Sequence, residues 1–315
     1  MAKATIDDSR IYVSYSQLIE LQAQTHSFSL LPHLIAKGSM SGRNQSPFRG
    51  RGLNFEELRH YQLGDDIRNL DWKVTMRTGK PHVRTYTEEK DRQFILCVDQ
   101  RSGMFFSSVE TMKSVVAAQV AALSAWRIIK DSDRVGFVLI GADQVEYIKP
   151  QRSKHHLLHA LRRLCDFNHA LDISSVNQGP ASLSECVDTL IRNQTKNATI
   201  IILSDWAGAS ETDIERLKYL QQRNDVLSVM IYDPLERKLP SVTNTQLVLG
   251  DGEYQLSVSE SEKLQRANKG LKRSSDKRQN ELSQLMAIHR LPLIELNTSG
   301  KHIEQFTFAI GGVGY

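Results

Sequence analysis

Cysteine is scarce in this chain. Its 315 residues hold three, Cys97, Cys165 and Cys186, widely separated in apolar patterns. Neither a disulfide framework nor a thiolate zinc site is expected, and a reducing compartment fits. Long hydrophobic runs are missing as well. The longest weakly polar stretch, VVAAQVAALSAW from Val115 to Trp126, is interrupted by Gln119 and Ser124 and is too short to cross a bilayer. The opening MAKATIDDSRIYVSYSQLIEL lacks the charged start, apolar block and cleavage site of a signal peptide, so the expected location is cytoplasmic, with no direct membrane insertion. Neither GxxxxGK[ST] nor a strand-linked GxGxxG occurs, so any ATP hydrolysis must belong to a partner. No GxSxG elbow surrounds Ser102 or Ser204, which leaves a hydrolase nucleophile without its usual setting. The net charge of +4 permits an anionic partner, but no helix-turn-helix, RNP pattern or regular interleaving of aromatics points to nucleic acid.

What is present is an ordinary globular composition, 40% hydrophobic and 24% charged, long enough to bury a full core. Residues 14–26 predict a short helix, and KGSMSGRNQSPFRGRG (37–52) predicts an exposed, basic, irregular loop. Residues 53–93 read as short pieces, with a turn at Gly64, a short helix near 69–77 and an alternating strand through Val83, Thr85 and Thr87. From residue 94 the rhythm becomes strand, helix, strand, helix. Apolar strands are expected at 94–98, 135–140, 198–203 and 226–232, with weaker candidates at 145–148, 243–249 and 293–296. Helices are expected at 107–130, 153–167, 182–193 and 211–222, the lengths of crossovers in a mostly parallel, doubly wound α/β sheet. The charged stretch 260–288 predicts a surface helix, interrupted near Gly270 or Ser274, and the terminal IGGVGY predicts a loose tail. The domains expected are 1–90, an N-terminal helix, basic loop and accessory layer, and 91–315, the α/β domain.

Two carboxylates stand out. Asp99 ends FILCVD and Asp205 follows ATIIILS, so both fall at the carboxyl tips of predicted strands, where open α/β sheets bind ligands. If the strands are neighbours, the pair shares a crevice and needs a cation. Mg²⁺ would require further oxygen ligands. Arg101, two residues after Asp99, is the alternative cation, already built in. A second cluster mixes Asp65, Asp66 and Asp71 with Arg59, Arg68, Arg77 and Arg84. Interlocking Arg–carboxylate pairs packed around Trp72 are the expected outcome, with a docking surface or an acid–base site as alternatives. His155, His156 and His159 share a helix with Lys154, Arg162 and Arg163, which favours a basic surface over a metal site.

The segment GRGLNFEELRHYQLGDDIRNLDWKVTMRT, Gly50 to Thr78, resembles the signature GRG-x-EF-x-x-x-R-x-Y-x-x-GDD-x-R-x-IDW-x-x-x-AR-T of the domain-of-unknown-function family numbered 58. Gly50, Gly52, Phe55, Arg59, Tyr61, Gly64, Asp65, Asp66, Arg68, Asp71, Trp72, Arg77 and Thr78 match; Asn54 and Met76 depart. The resemblance implies a von Willebrand factor A-like domain after the signature. It also implies a non-enzymatic adaptor that partners a MoxR-type AAA+ ATPase and acts on a client protein. Such domains carry a metal-ion-dependent adhesion site, and the version here is degenerate. Arg101 and Gly103 stand at its two hydroxyl positions, and the later loop offers Ala181 and Ser182 but no Thr. The resemblance therefore marks Asp99, Arg101, Ser102, Ser182 and Asp205 as binding candidates with no cofactor expected, a Mg²⁺-dependent adhesion module being the alternative.

Overall fold

The computed structural model of the protein describes the chain apart from residues 1–7, 27–29, 31–43, 47–52, 63–64, 89–91, 178–181, 240–246, 251–254, 259–260, 289–292 and 312–315. The chain divides into two compact units, Leu34–Arg92 and the remainder, Met1–His33 with Gln93–Tyr315. The N-terminal segment thus groups with the α/β unit rather than with the residues that follow it, while the boundary expected at residue 90 falls at Arg92.

The reason lies in a chain of buried amides. Helix α1 (Tyr15–Glu20) opens on a Ser14 capping box. Just before it, the Val13 N–H donates to Asn168 Oδ1 at 2.9 Å, Asn168 Nδ2 donates to Gln100 Oε1 at 2.9 Å, and Gln100 Nε2 donates to the Ser114 carbonyl at 2.8 Å. Asn168 and Gln100 are fully buried, and each would carry a desolvation penalty if left unpaired. This short N-terminal run is tied to the carboxyl end of a central strand.

In the Leu34–Arg92 unit, strands β1 (Asn44–Ser46), β2 (Leu53–His60) and β3 (His82–Glu88) form an antiparallel sheet in the order β1-β3-β2. Helix α2 (Trp72–Thr78) lies between β2 and β3 and ends on Gly79 in the left-handed region, φ +69°, the usual role of glycine after a helix. The basic stretch 37–52 lies outside the described residues except for β1.

The α/β unit is built on β4 (Gln93–Asp99), α3 (Lys113–Lys130), β5 (Arg134–Ile140), β6 (Val145–Gln151), α4 (Lys154–His169), α5 (Leu183–Arg192), β7 (Ala198–Ser204), α6 (Glu211–Gln221), β8 (Asp225–Tyr232) and a short helix α7 (Pro234–Arg237). A two-stranded antiparallel ladder, β9 (Leu247–Gly250) with β10 (Gln255–Val258), precedes α8 (Ser261–Ile288), β11 (Ile294–Asn297) and α9 (His302–Gly311). Six strands make one sheet in the order β11-β8-β7-β4-β5-β6, parallel except for the β5–β6 pair, and helices flank it. The doubly wound, mostly parallel α/β class expected from the sequence is what the topology shows. Continuous burial of β4, β5, β7 and β8 explains their unbroken apolar runs.

Several expectations shift. The helix expected from 107 begins at Lys113, because the preceding backbone is claimed elsewhere: the Ser108 N–H donates to Asp233 Oδ2 at 2.8 Å, and the N–H groups of Glu110 and Thr111 donate to the Thr298 carbonyl. Helix α8 runs unbroken through Gly270 and Ser274, its C-terminal part anchored by the buried Leu282, Leu285 and Met286. The IGGVGY tail begins inside α9, where Ile310 is buried. The 243–249 candidate becomes β9, outside the main sheet.

Candidate functional site

The central pair β4 and β7 are hydrogen-bonded neighbours, so Asp99 and Asp205 do meet at the carboxyl end of the sheet. Each has its own cation. Asp99 is fully buried and bound in a fork by Arg101, Nε to Oδ1 at 3.0 Å and Nη2 to Oδ2 at 2.7 Å, while the Arg101 backbone N–H also donates to Oδ1 at 3.0 Å. The Ser204 hydroxyl donates to Asp99 Oδ2 at 2.6 Å and accepts the Trp206 N–H at 2.9 Å. Ser204 is itself fully buried.

Asp205 is held by a different residue. Lys113, the first residue of α3, donates from Nζ to Asp205 Oδ2 at 2.8 Å and to Glu236 Oε1 at 2.5 Å. Asp205 Oδ1 accepts the Ala207 N–H at 2.8 Å. Burial raises the Asp205 carboxyl, but the Lys113 ammonium outweighs it and holds the group below the usual carboxylate range. Burial pulls Lys113 down, yet Asp205 and Glu236 lift it above an ordinary lysine. Arg101 follows the same pattern, raised by Asp99 against desolvation. The buried charges are therefore paired, as buried charges must be.

The network extends to a third strand end. Asp233 follows β8, is fully buried, and accepts from the Ser108 N–H and hydroxyl, from Thr298 Oγ1 at 2.6 Å and from the Leu235 N–H at 2.9 Å. Burial raises the Asp233 carboxyl, and the hydrogen bonds from Ser108, Thr298 and Leu235 together hold it below the usual carboxylate range. Glu236 closes the circuit, since its Oε2 accepts the Asp233 N–H at 3.0 Å. Sequence reasoning missed Lys113, Glu236 and Asp233. The available signal was a single lysine opening an otherwise apolar helix, MKSVVAAQV, and an Asp-Pro step at a strand end, which is a helix-cap pattern.

The other candidates separate. Ser102 gives its backbone N–H to Asn177 Oδ1 at 2.9 Å and opens a short 3₁₀ turn. Ser182 caps α5, its hydroxyl accepting the Glu185 N–H at 3.1 Å. Gly103 borders the acids, since a Cβ there would stand 3.6 Å from Asp205 Oδ2.

In the signature unit, Arg59 grips Asp65 through two bonds of 2.8 and 2.7 Å, and Arg84 Nε donates to Asp71 Oδ2 at 2.8 Å. Asp71 also caps α2 through the N–H groups of Lys73 and Val74. The side-chain bond from Arg59 lowers Asp65, and that from Arg84 lowers Asp71. Tyr61 joins through its N–H to the Pro81 carbonyl at 2.9 Å. The expected interlocking is only partial: Arg68 reaches Asp66 at 3.8 Å on the surface, and Arg77 is exposed at the end of α2. Trp72 is 62% exposed, which corrects the expectation that the network packs around it. Gly64, with Gly50 and Gly52, lies outside the described residues. Among the described residues no group of three metal-ligating side chains comes together.

A mostly parallel α/β sheet with acids locked by internal cations at its strand tips, preceded by an Arg–Asp braced antiparallel unit, defines the class of molecule. The chain belongs to the family described as "Protein of unknown function DUF58", whose model matches residues 57–279. Uncharacterized proteins of Mycobacterium bovis and Mycobacterium tuberculosis are 27% identical over 220 residues, covering 69% of this chain and 66% of theirs. The chain thus spans just under two thirds of the length of those curated relatives. Similar solved structures include the conserved hypothetical protein BatB from Bacteroides thetaiotaomicron, with 14% identity, a TM-score of 0.36 and coverage of 62% of this chain and 99% of that one. Another is an aerotolerance-related membrane protein from Bacteroides fragilis, with 11% identity, a TM-score of 0.38 and coverage of 70% and 100%. A third is described as an uncharacterized membrane spanning protein from Vibrio fischeri, with 15% identity, a TM-score of 0.23 and coverage of 71% and 98%. The descriptions of the second and third name membrane proteins, at odds with the cytoplasmic expectation. No helix among the described residues is long and apolar enough to cross a membrane.

Proposed function

We propose that the chain is a non-catalytic adaptor with a von Willebrand A-like domain, which partners a MoxR-type AAA+ ATPase and couples its work to a client protein. The observation that carries the reading is the double lock at the strand tips. With Arg101 on Asp99 and Lys113 on Asp205, neither carboxylate is free to serve as a general base, and Ser204 is buried with its hydroxyl engaged. A network so neutralised and buried suits a rigid support beneath a recognition surface better than a reaction centre. The partner class rests on what the resemblance of the signature segment implies. The test is co-elution of the full chain with a purified MoxR-type ATPase and measurement of its ATP turnover. A complex with altered turnover is expected; no complex and unchanged turnover would overturn the reading.

The Mg²⁺-dependent adhesion alternative meets a donor set that does not suit it. A hard cation prefers near-octahedral oxygen ligands, whereas an ammonium and a guanidinium already occupy the inner oxygens of both acids. Calorimetric titration of the wild type with Mg²⁺ is expected to show no binding. Affinity should appear only when Arg101→Ser and Gly103→Ser are combined with Lys113→Ser, because the first two leave Lys113 on Asp205. Tight binding by the wild type would reinstate the adhesion alternative.

A further inference from the structure

Helix α2 of the signature unit turns a two-part face outward. Trp72 and Met76 fall about 40° apart around the helix and form one seam, and Lys73 and Arg77 form a second seam about 100° round from the first. All four side chains are exposed, Trp72 by 62% and Met76 by 84%. The opposite side is turned to β3: Val74 and Thr75 are half-buried, and Thr75 Oγ1 accepts the His82 N–H at 3.1 Å. Ile67, also exposed, precedes the helix.

Scattered exposed apolar residues need no explanation, but Trp, Met and Arg side by side are the residues that interfaces favour. Charge says what answers them. The acids nearby are already taken, Asp65 by Arg59, Asp66 by Arg68 and Asp71 by Arg84, which leaves Lys73 and Arg77 without a carboxylate partner among the described residues. Leu34–Arg92 holds twelve lysines and arginines against eight acids, so the chain's whole net charge of +4 resides in this unit. A second copy presenting the same face would set these cations against each other. A bilayer is bound through a broad apolar face, and α2 offers two such side chains on seven residues. A nucleic-acid strand would use the cations and stack on Trp72 but leave Met76 and Ile67 without a role. A protein helix with apolar side chains beside carboxylates, each at i,i+4 spacing, answers both seams at once.

We propose that the outward face of α2 docks an acidic amphipathic helix of a partner protein, its apolar side chains on Trp72 and Met76 and its carboxylates on Lys73 and Arg77. The proposal needs only this face and stands whether or not the partner is an ATPase. The probe is a capped helical peptide with adjacent leucine and glutamate seams at i,i+4 spacing on an alanine background, titrated into the ¹⁵N-labelled full chain. Versions with Gln or Lys in place of Glu vary the charge alone. The chain has three tryptophans, and Trp72→Phe assigns the indole resonance that reads the face.

The Glu peptide should move the Trp72 indole resonance and saturate, and the Gln peptide should bind roughly tenfold more weakly, as expected for loss of charge-assisted contacts. Lys73→Glu combined with Arg77→Glu should weaken the Glu peptide by at least as much and gain the Lys peptide, with wild-type amide resonances in β2 and β3 showing that the unit keeps its fold. No shift with the Glu peptide up to ~1 mM, weaker than about −4 kcal/mol of binding, would overturn the proposal. So would equal binding of the Gln peptide, or affinity unchanged by the charge reversal. Tighter engagement of Trp72 by phosphatidylserine vesicles or by oligothymidylate would overturn it in favour of a membrane or a nucleic acid, and a Trp72 shift that follows the concentration of the chain alone would replace the partner with a second copy.

Discussion

Arg101 and Lys113 do the same work by different routes, and only one route is visible in the sequence. Arg101 is two positions from Asp99, so its fork closes within one loop. Lys113 is separated from Asp205 by 92 residues, and only the placement of α3 across the sheet brings them together. A local rule can find the first; the second needs the tertiary fold. Removing one partner from a buried pair leaves a stranded charge, at a cost of about 3–5 kcal/mol. Arg101→Gln and Lys113→Met should each lower the urea-unfolding free energy by about that much, and Asp99→Asn added to Arg101→Gln should restore most of the loss. A destabilisation below about 1 kcal/mol, the value of an exposed pair, would mean that the lock is not buried in solution.

At the scale of elements, the strands and crossover helices were legible because burial on both faces leaves continuous apolar runs, while their ends were set by distant hydrogen bonds. The signature unit shows the same division. Its Arg–Asp spacing predicted pairing, but nothing local distinguished Asp71, which is buried, paired and capping, from Asp66, which is half-exposed and caps only a 3₁₀ turn. Asp71→Ala should cost at least the ~1 kcal/mol of a lost cap; Asp66→Ala should cost less, both read by thermal melting. Equal losses would contradict the geometry.

Glycines give a second contrast between elements. A Cβ at Gly136 would lie 2.6 Å from the Ile148 carbonyl oxygen, where the β5–β6 register shifts, whereas at Gly270 in α8 it would meet nothing within 4 Å. Gly136→Ala should destabilise by about 1–3 kcal/mol, and Gly270→Ala should stabilise by about 0.5–1 kcal/mol. A stabilised Gly136→Ala would show that the two strands separate more easily than their register implies.

For the molecule as a whole, the buried titratable groups set how stability varies with pH. His302 is buried, bonded through Nε2 to Gln119 Oε1 at 2.6 Å, and lowered by burial to about 4. An unfolded histidine takes up its proton near pH 6.5, so between about 6.5 and 4 the unfolded chain binds more protons than the folded one. Stability therefore falls as pH falls through that window, by about 3 kcal/mol at order of magnitude. Asp205 and Asp233, both held low in the fold, act in a second window: their contribution is present above about pH 4, the unfolded carboxylate value, and disappears below it. Lys113 acts at the other end, its raised value giving stability that is lost as pH rises past an ordinary lysine. Trp126 and Trp206 are buried in the α/β unit and Trp72 lies in the other, so Trp72→Phe confines the fluorescence signal to the α/β unit. In that background, urea midpoints should fall in two acid steps, and His302→Gln should remove the first while leaving the second. A first step that survives His302→Gln would assign it to another group.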